Sequence, residues 1–194
     1  MNVVRSALKR YRIVTCLLCL GMLPLANAAY IPAKAWLAQE LMQRAWDRAE
    51  LGDDDAKPWP WADTYPVARL IAQAGQVDLI VLSGGSGRTL AFGPGHLSAS
   101  ASPGERGNMV FAGHRDTHFG FLRDVRAGES MIVETPDSQQ YLYEVLDVDI
   151  VDARRGSLVL DTDEAYLTLV TCYPFDAVDP GGPLRYVVTL RMLL

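Results

Sequence analysis

The chain reads as a mainly β protein: a small closed or nearly closed barrel of about eight short strands preceded by a helix. Three observations predict this. Sixteen glycines and eleven prolines punctuate the 194 residues. Apolar or alternating runs of strand length recur between those punctuation marks from residue 67 onward. Helical periodicity is confined to the region before residue 52. With 49% hydrophobic and 21% charged residues the composition is ordinary for a globular protein, and the length suffices to bury a core without disulfide or metal staples.

The elements follow in order. Residues 1–33 form a basic head and an apolar segment: Arg5, Lys9, Arg10 and Arg12 precede the uncharged run "IVTCLLCLGMLPLANAAYIPA", an export signature. "ANA" before Ala29 fits a cleaved signal peptide, whereas the whole run is long enough to span a bilayer of roughly 30 Å. Both readings stay open: a retained inner-membrane anchor, or cleavage after Ala28 to a soluble periplasmic form. In either case the remainder is expected outside the cytoplasm. Residues 34–65 read as an amphipathic helix and a proline-rich linker. The helix, Lys34 to Leu51, lines up Ala35, Ala38, Leu41, Met42, Ala45, Trp46 and Ala49 on one stripe, with Gly52 as its stop. "DDDAKPWPWADTYP" is the linker, where Pro58, Pro60 and Pro66 forbid regular structure.

Residues 66–194 make the barrel domain. Strands are predicted at 67–72, 77–82, 90–92, 108–114, 131–134, 140–152, 165–173 and 185–192. "SGGSGRT" reads as a turn, "GPGHLSASASPGERG" as a long loop, and Phe119–Arg126 as a short helix or turn.

Charge narrows the function. The chain carries 18 basic and 23 acidic residues. Four of the basic ones lie in the leader, so the remainder is more acidic than the whole. Such a domain is a poor candidate for nucleic acid, which rewards basic patches, and no nucleic acid partner is expected.

Cysteine usage points further. Cys16 and Cys19 lie in the leader, which leaves Cys172, in "TLVTCYPF", as the exported domain's one thiol. Exported proteins pair their thiols or avoid them. A leftover thiol is either reactive or an inert packed side chain.

Three motifs lose to plainer readings. "SGGSGRT" lacks the glycine spacing and the lysine of a phosphate loop. "HRD" at 114–116 stands without the other signatures of a kinase. His114 and His118 have zinc-ligand spacing only on a helix, and "NMVFAGH" reads as a strand. No metal or cofactor is expected.

The nucleophile reading needs a thiol, an acid or base, and an oxyanion donor. His114 ends one predicted strand and Cys172 another. Arg185 opens the last strand, thirteen positions after Cys172. A hairpin between the last two strands sets Cys172 and Arg185 at one rim of the sheet. There the guanidinium can lower the thiol pKa or stabilise an oxyanion.

Taken together, "TLVTC", the arginine thirteen residues on, and "GNMVFAGHRDTHF" upstream resemble the sortases, membrane-associated cysteine transpeptidases with an eight-stranded β-barrel. The resemblance runs from about Pro66 to the C-terminus, and "GPGH", "PGERGN" and "YPF" are similar to the sortases of Gram-negative bacteria. It implies Cys172 as nucleophile, His114 as general acid/base and Arg185 as transition-state stabiliser. The implied substrate is an exported protein with a C-terminal sorting signal of the Leu-Pro-x-Thr-Gly kind. The implied product passes from a Cys172 thioester to an amine acceptor of unknown identity. The expected working form is a monomer attached to the inner membrane by its N-terminal segment. Asp116 is considered as a residue orienting His114. Some sortases bind calcium through acidic loop residues, but the Asp161, Asp163, Glu164 cluster reads as a solvated turn. A hydrolytic cysteine peptidase on the same site and a non-catalytic exported β-barrel binding module remain the competing readings.

Overall fold

The computed structural model describes residues 2–53, 55–178 and 181–193. The side chains at 2–10, 12–14, 16–17, 19–20 and 23–27 also lie outside the described set. The basic head and most of the apolar leader therefore rest on sequence. No helix among the described residues is long and apolar enough to cross a membrane.

The chain divides into two compact units, Met1–Glu40 and Leu41–Leu194. The first is helical, part of helix α1 (Asn2–Glu50). The second contains the end of α1 and all the strands. There Met42, Ala45 and Trp46, one helical face by their spacing, are fully buried. The helix stops at the expected glycine: the Gly52 N–H bonds the Ala49 carbonyl at 2.9 Å and the Asp53 N–H bonds that of Arg48 at 3.1 Å.

Eight strands follow: β1 (Pro66–Ala72), β2 (Val77–Ser83), β3 (Gly95–His96), β4 (Gly107–Ala112), β5 (Ser130–Glu134), β6 (Gln140–Asp152), β7 (Ala165–Cys172) and β8 (Leu184–Met192). They close into a barrel in the order β1-β2-β3-β4-β7-β8-β6-β5. Strands β2–β3 and β4–β7 run parallel and the other pairs antiparallel. Alternate residues point inward, so Leu70 and Val81 meet Phe111, Leu169 and Val188 in the core. Phe119 and Leu122, from a 3₁₀ turn at Gly120–Asp124 and the residue before it, complete that core.

The fold is the predicted one, with local differences: α1 begins at Asn2 and not at Lys34, β1 opens at Pro66, and β4 stops at Ala112, two residues short of His114. The strand expected at 90–92 is absent. In its place stands a one-turn helix α2 (Gly87–Leu90), whose N-cap Ser86 accepts the Thr89 N–H through its hydroxyl at 3.1 Å. The missing strand is supplied by β3, inside the segment read as loop. Its residues lack strand character, and only their position between β2 and β4 makes them one. At Gly95 an added Cβ would stand 2.1 Å from the Gly84 carbonyl oxygen, so only glycine allows that approach.

Candidate active site

Strands β4, β7 and β8 are neighbours, and the site is built where they end. Strand β7 alternates: Leu167, Leu169 and Thr171 face inward and are buried, so Cys172 faces outward with Tyr166, Thr168 and Val170. In the antiparallel β7–β8 pair Cys172 stands directly opposite Arg185. The ladder runs one residue further, with the Tyr173 N–H on the Leu184 carbonyl at 3.1 Å. The parallel β4–β7 pair matches Ala112 with Val170. It is prolonged by the Gly113 N–H on the Val170 carbonyl at 3.1 Å and by the buried Thr171 hydroxyl, which donates to the Gly113 carbonyl at 2.7 Å. His114 comes next. It ends the segment at the same rim, exposed, while Cys172 and Arg185 are half-buried.

Each group has a local anchor. The His114 carbonyl accepts the Phe119 N–H at 3.0 Å and the Thr117 N–H at 3.4 Å, which closes the turn after it. Gly113 gives room for this turn: a Cβ there would meet the Phe119 ring at 2.8 Å. The Arg185 Nη1 donates to the Gly182 and Leu184 carbonyls at 2.6 and 2.9 Å. Its guanidinium is thus held by the connection that follows β7. Tyr173, beside the thiol, stacks on Tyr186 with ring centroids 6.2 Å apart, and Phe175 packs edge-on against Tyr186 at 5.0 Å. Burial, with Tyr173 and Asp124 nearby, pushes the Tyr186 hydroxyl pKa up.

The outer face of β4 and β7 is partly covered. The Thr168 hydroxyl donates to Asn108 Oδ1 at 2.8 Å, and Asn108 Nδ2 donates to the Val159 carbonyl at 2.9 Å. The Asn108 N–H bonds the Leu160 carbonyl, also at 2.9 Å. The β6–β7 connection is thereby clipped across the two strands, and two outward polar residues, Asn108 and Thr168, are buried at 7% and 2% exposure. Sequence reading missed this pair, since polar residues at outward strand positions normally mark solvent.

His118, assigned no role from sequence, lies in the electrostatic reach of His114. Burial first, and then the positive charge of His114, holds its imidazole below the ordinary histidine range. Asp116, considered from sequence as an orienter of His114, lies next to it in the turn and pairs with Arg115. Its Oδ1 accepts from the Nε of Arg115 at 3.3 Å. Among the described residues no group of three or more His, Cys, Asp or Glu is arranged to hold a metal. Glu164 of the acidic cluster instead accepts the Tyr166 hydroxyl at 3.0 Å.

A thiol, an imidazole and a guanidinium from three adjacent segments thus share one rim. Neighbouring strands lie about 4.8 Å apart, so the paired Cys172 and Arg185 are within mutual reach, and His114 lies two residues beyond the last β4–β7 pair. That set has the components for attack on a carbonyl, proton transfer to a leaving group and stabilisation of an oxyanion.

The chain is similar to known proteins. Sortase D of Bacillus subtilis (strain 168) is 32% identical over 112 residues, 57% of this chain and 56% of that relative. The chain therefore spans little more than half of that relative's length. The solved structure of sortase A from Corynebacterium diphtheriae superposes with a TM-score of 0.61 at 26% identity, over 69% of this chain and 63% of that one. A Clostridium perfringens sortase D5 transpeptidase does so with a TM-score of 0.59 at 24% identity, over 67% of this chain and 80% of that one, a likeness of fold. The family model for the sortase domain matches residues 70–193, from within β1 to just past β8. The match takes in most of the chain and the whole rim where Cys172, His114 and Arg185 sit, and the chain belongs to the sortase family.

Proposed function

We propose that the chain is a cysteine transpeptidase in which Cys172 is the nucleophile, His114 the general acid/base and Arg185 the oxyanion stabiliser. The observation that carries this reading is the direct pairing of Cys172 with Arg185 on the outer face, with His114 at the end of the adjoining parallel segment. The Cys172 thiolate, beside a protonated His114, attacks a backbone carbonyl of the sorting signal, and the oxygen of the tetrahedral intermediate is met by Arg185. The C–N bond breaks, His114 gives its proton to the departing amine, and a thioester remains. An incoming amine then loses a proton to His114 and attacks the thioester. A new amide forms as the C–S bond breaks, the Cys172 thiolate leaves and His114 keeps the proton for the next cycle.

Membership of the family supports a protein substrate with a C-terminal sorting signal, of the Leu-Pro-x-Thr-Gly kind in the expected case. "GPGH", "PGERGN" and "YPF" support placement among the sortases of Gram-negative bacteria. The basic head and apolar leader support attachment to the inner membrane with the barrel on its outer side. The domain organisation we infer is leader 1–33, helix and linker 34–65, and catalytic barrel 66–194.

The test is mass-spectrometric trapping of a thioester at Cys172 with sorting-signal peptides, with and without an added amine. A Cys172 adduct, converted to amide when amine is present, is the expected result. Acid product unaffected by amine identifies a hydrolase. No adduct with any peptide of a panel drawn from exported proteins with such C-termini overturns the reading.

A further inference from the structure

Arg115 lies between His114 and Asp116, and its side chain is 7% exposed. A buried cation is costly unless each donor is met. Here each donor nitrogen has a partner. Nη1 donates to the Pro174 carbonyl at 2.7 Å, Nη2 to the Ala177 carbonyl at 2.7 Å, and Nε to Asp116 at 3.3 Å. The two carbonyls belong to the segment that follows Cys172. The residue after His114 therefore grips the chain after Cys172.

A second clamp lies on the other side. Gly113, the residue before His114, is bonded to Val170 through its N–H and to Thr171 through its carbonyl. The segments 113–115 and 170–177 are thus joined twice, before and after the pair His114 and Cys172. Gly113 and Arg115 are buried, and His114 between them is exposed at the rim where β7 ends with Cys172. One clamp is short, a main-chain bond to Val170 and the Thr171 hydroxyl on the Gly113 carbonyl. The other depends on a planar, forked cation spanning two carbonyls three residues apart, a geometry an ammonium cannot reproduce.

We propose that Arg115 is a positioning residue for the reaction: its fork holds the His114 imidazole in register with the Cys172 thiol, beyond any contribution to stability. The proposal rests on the reading of Cys172 and His114 as a working pair. It predicts that loss of the fork leaves the barrel folded but uncouples the two side chains. Such uncoupling has the same signature as removing the imidazole. A displacement of about 1 Å at this point costs on the order of 10²-fold in a reaction that needs both groups.

The probe is iodoacetamide. Its rate constant with Cys172 is followed in the full chain by mass spectrometry of the Cys172 peptide, which separates it from Cys16 and Cys19. The pH profile is recorded from mildly acidic to alkaline pH for wild type, His114→Gln and Arg115→Met, with near-ultraviolet circular dichroism reporting the folded state. The expected result is that His114→Gln and Arg115→Met profiles coincide and both differ from wild type. A folded Arg115→Met with the wild-type profile, beside an altered His114→Gln, overturns the positioning role and leaves the site intact. Wild type and His114→Gln profiles that coincide overturn the pairing itself. Should Arg115→Met not fold, Arg115→Lys, which keeps the charge but loses the fork, is expected to lie between wild type and His114→Gln. A wild-type profile for Arg115→Lys then overturns the proposal.

Discussion

Cys172 and Arg185 face each other as paired residues across the β7–β8 ladder, both half-buried on the outer face of the barrel. They stand thirteen positions apart in the chain, but the hairpin sets them side by side. Because Arg185 also donates to the Gly182 and Leu184 carbonyls, its guanidinium is oriented before any substrate arrives. Preorganised donors of this kind carry the larger part of oxyanion stabilisation.

Replacing Arg185 with lysine keeps a positive charge and removes the planar fork. The expected result is a fall in kcat of roughly 10²- to 10³-fold with KM little changed. Steady-state kinetics on a peptide that forms the thioester check this, and an equal rise in KM with kcat preserved would point to a binding role instead.

Cys172→Ala is expected to abolish thioester formation. Because Cys172 is half-buried, its loss should shift stability by under about 1 kcal/mol. Intact-mass trapping and urea unfolding on the same preparation read the two effects separately. A large stability loss would mean that the thiol serves the core.

Thr168→Val preserves shape and removes the donor to Asn108. A buried carbonyl oxygen left without its partner costs about 1–3 kcal/mol. The expected outcome is a stability loss in that range, with faster proteolysis in the β6–β7 connection that Asn108 holds. Unchanged protease sensitivity would show that the clip through Val159 and Leu160 does not depend on Thr168.

Gly113→Ala forces a methyl group against the Phe119 ring, 2.8 Å away. Overpacking of this kind costs about 1–3 kcal/mol. Since Phe119 closes the turn that carries His114, activity should fall with stability. Thermal unfolding together with the thioester assay tests the pair of effects, and full activity in a destabilised variant would separate the turn from the site.

His118 supplies a pH prediction. Its pKa is lowered in the folded chain by burial and by His114, so the folded state favours the neutral ring. A lowered folded pKa contributes stability that is fully present above the unfolded value of about 6.5 and is lost as pH falls through the folded pKa. Stability should therefore decline on mild acidification, and less so in His118→Gln. In an NMR titration, His114→Gln should raise the His118 pKa part of the way back. An unchanged His118 titration in that variant would place His114 too far away to act on it.

Much of this was legible in the sequence because it depends on local pattern. Alternation along 165–173 and 185–192 identified the last two strands, and their short connection determined that Cys172 and Arg185 share a rim. Gly52 marked the end of the helix. Strand β3 was not legible. Gly95 and His96 have no strand pattern, and it is the absence of a Cβ beside the Gly84 carbonyl that lets them pair. The helix at 87–90 was missed because an N-cap serine outweighed a short apolar run.

By itself, then, the sequence determined the β class and most of the order of its strands along the chain, and it singled out Cys172, His114 and Arg185 as candidates. The tertiary structure alone decided how those side chains are held. The Arg115 contact to Pro174, the Thr171 contact to Gly113 and the Thr168 contact to Asn108 join residues 59, 58 and 60 positions apart. Periodicity reports on burial within one element, over a few residues. Contacts at that separation exist only because β4 and β7, distant in the chain, lie parallel in a closed barrel.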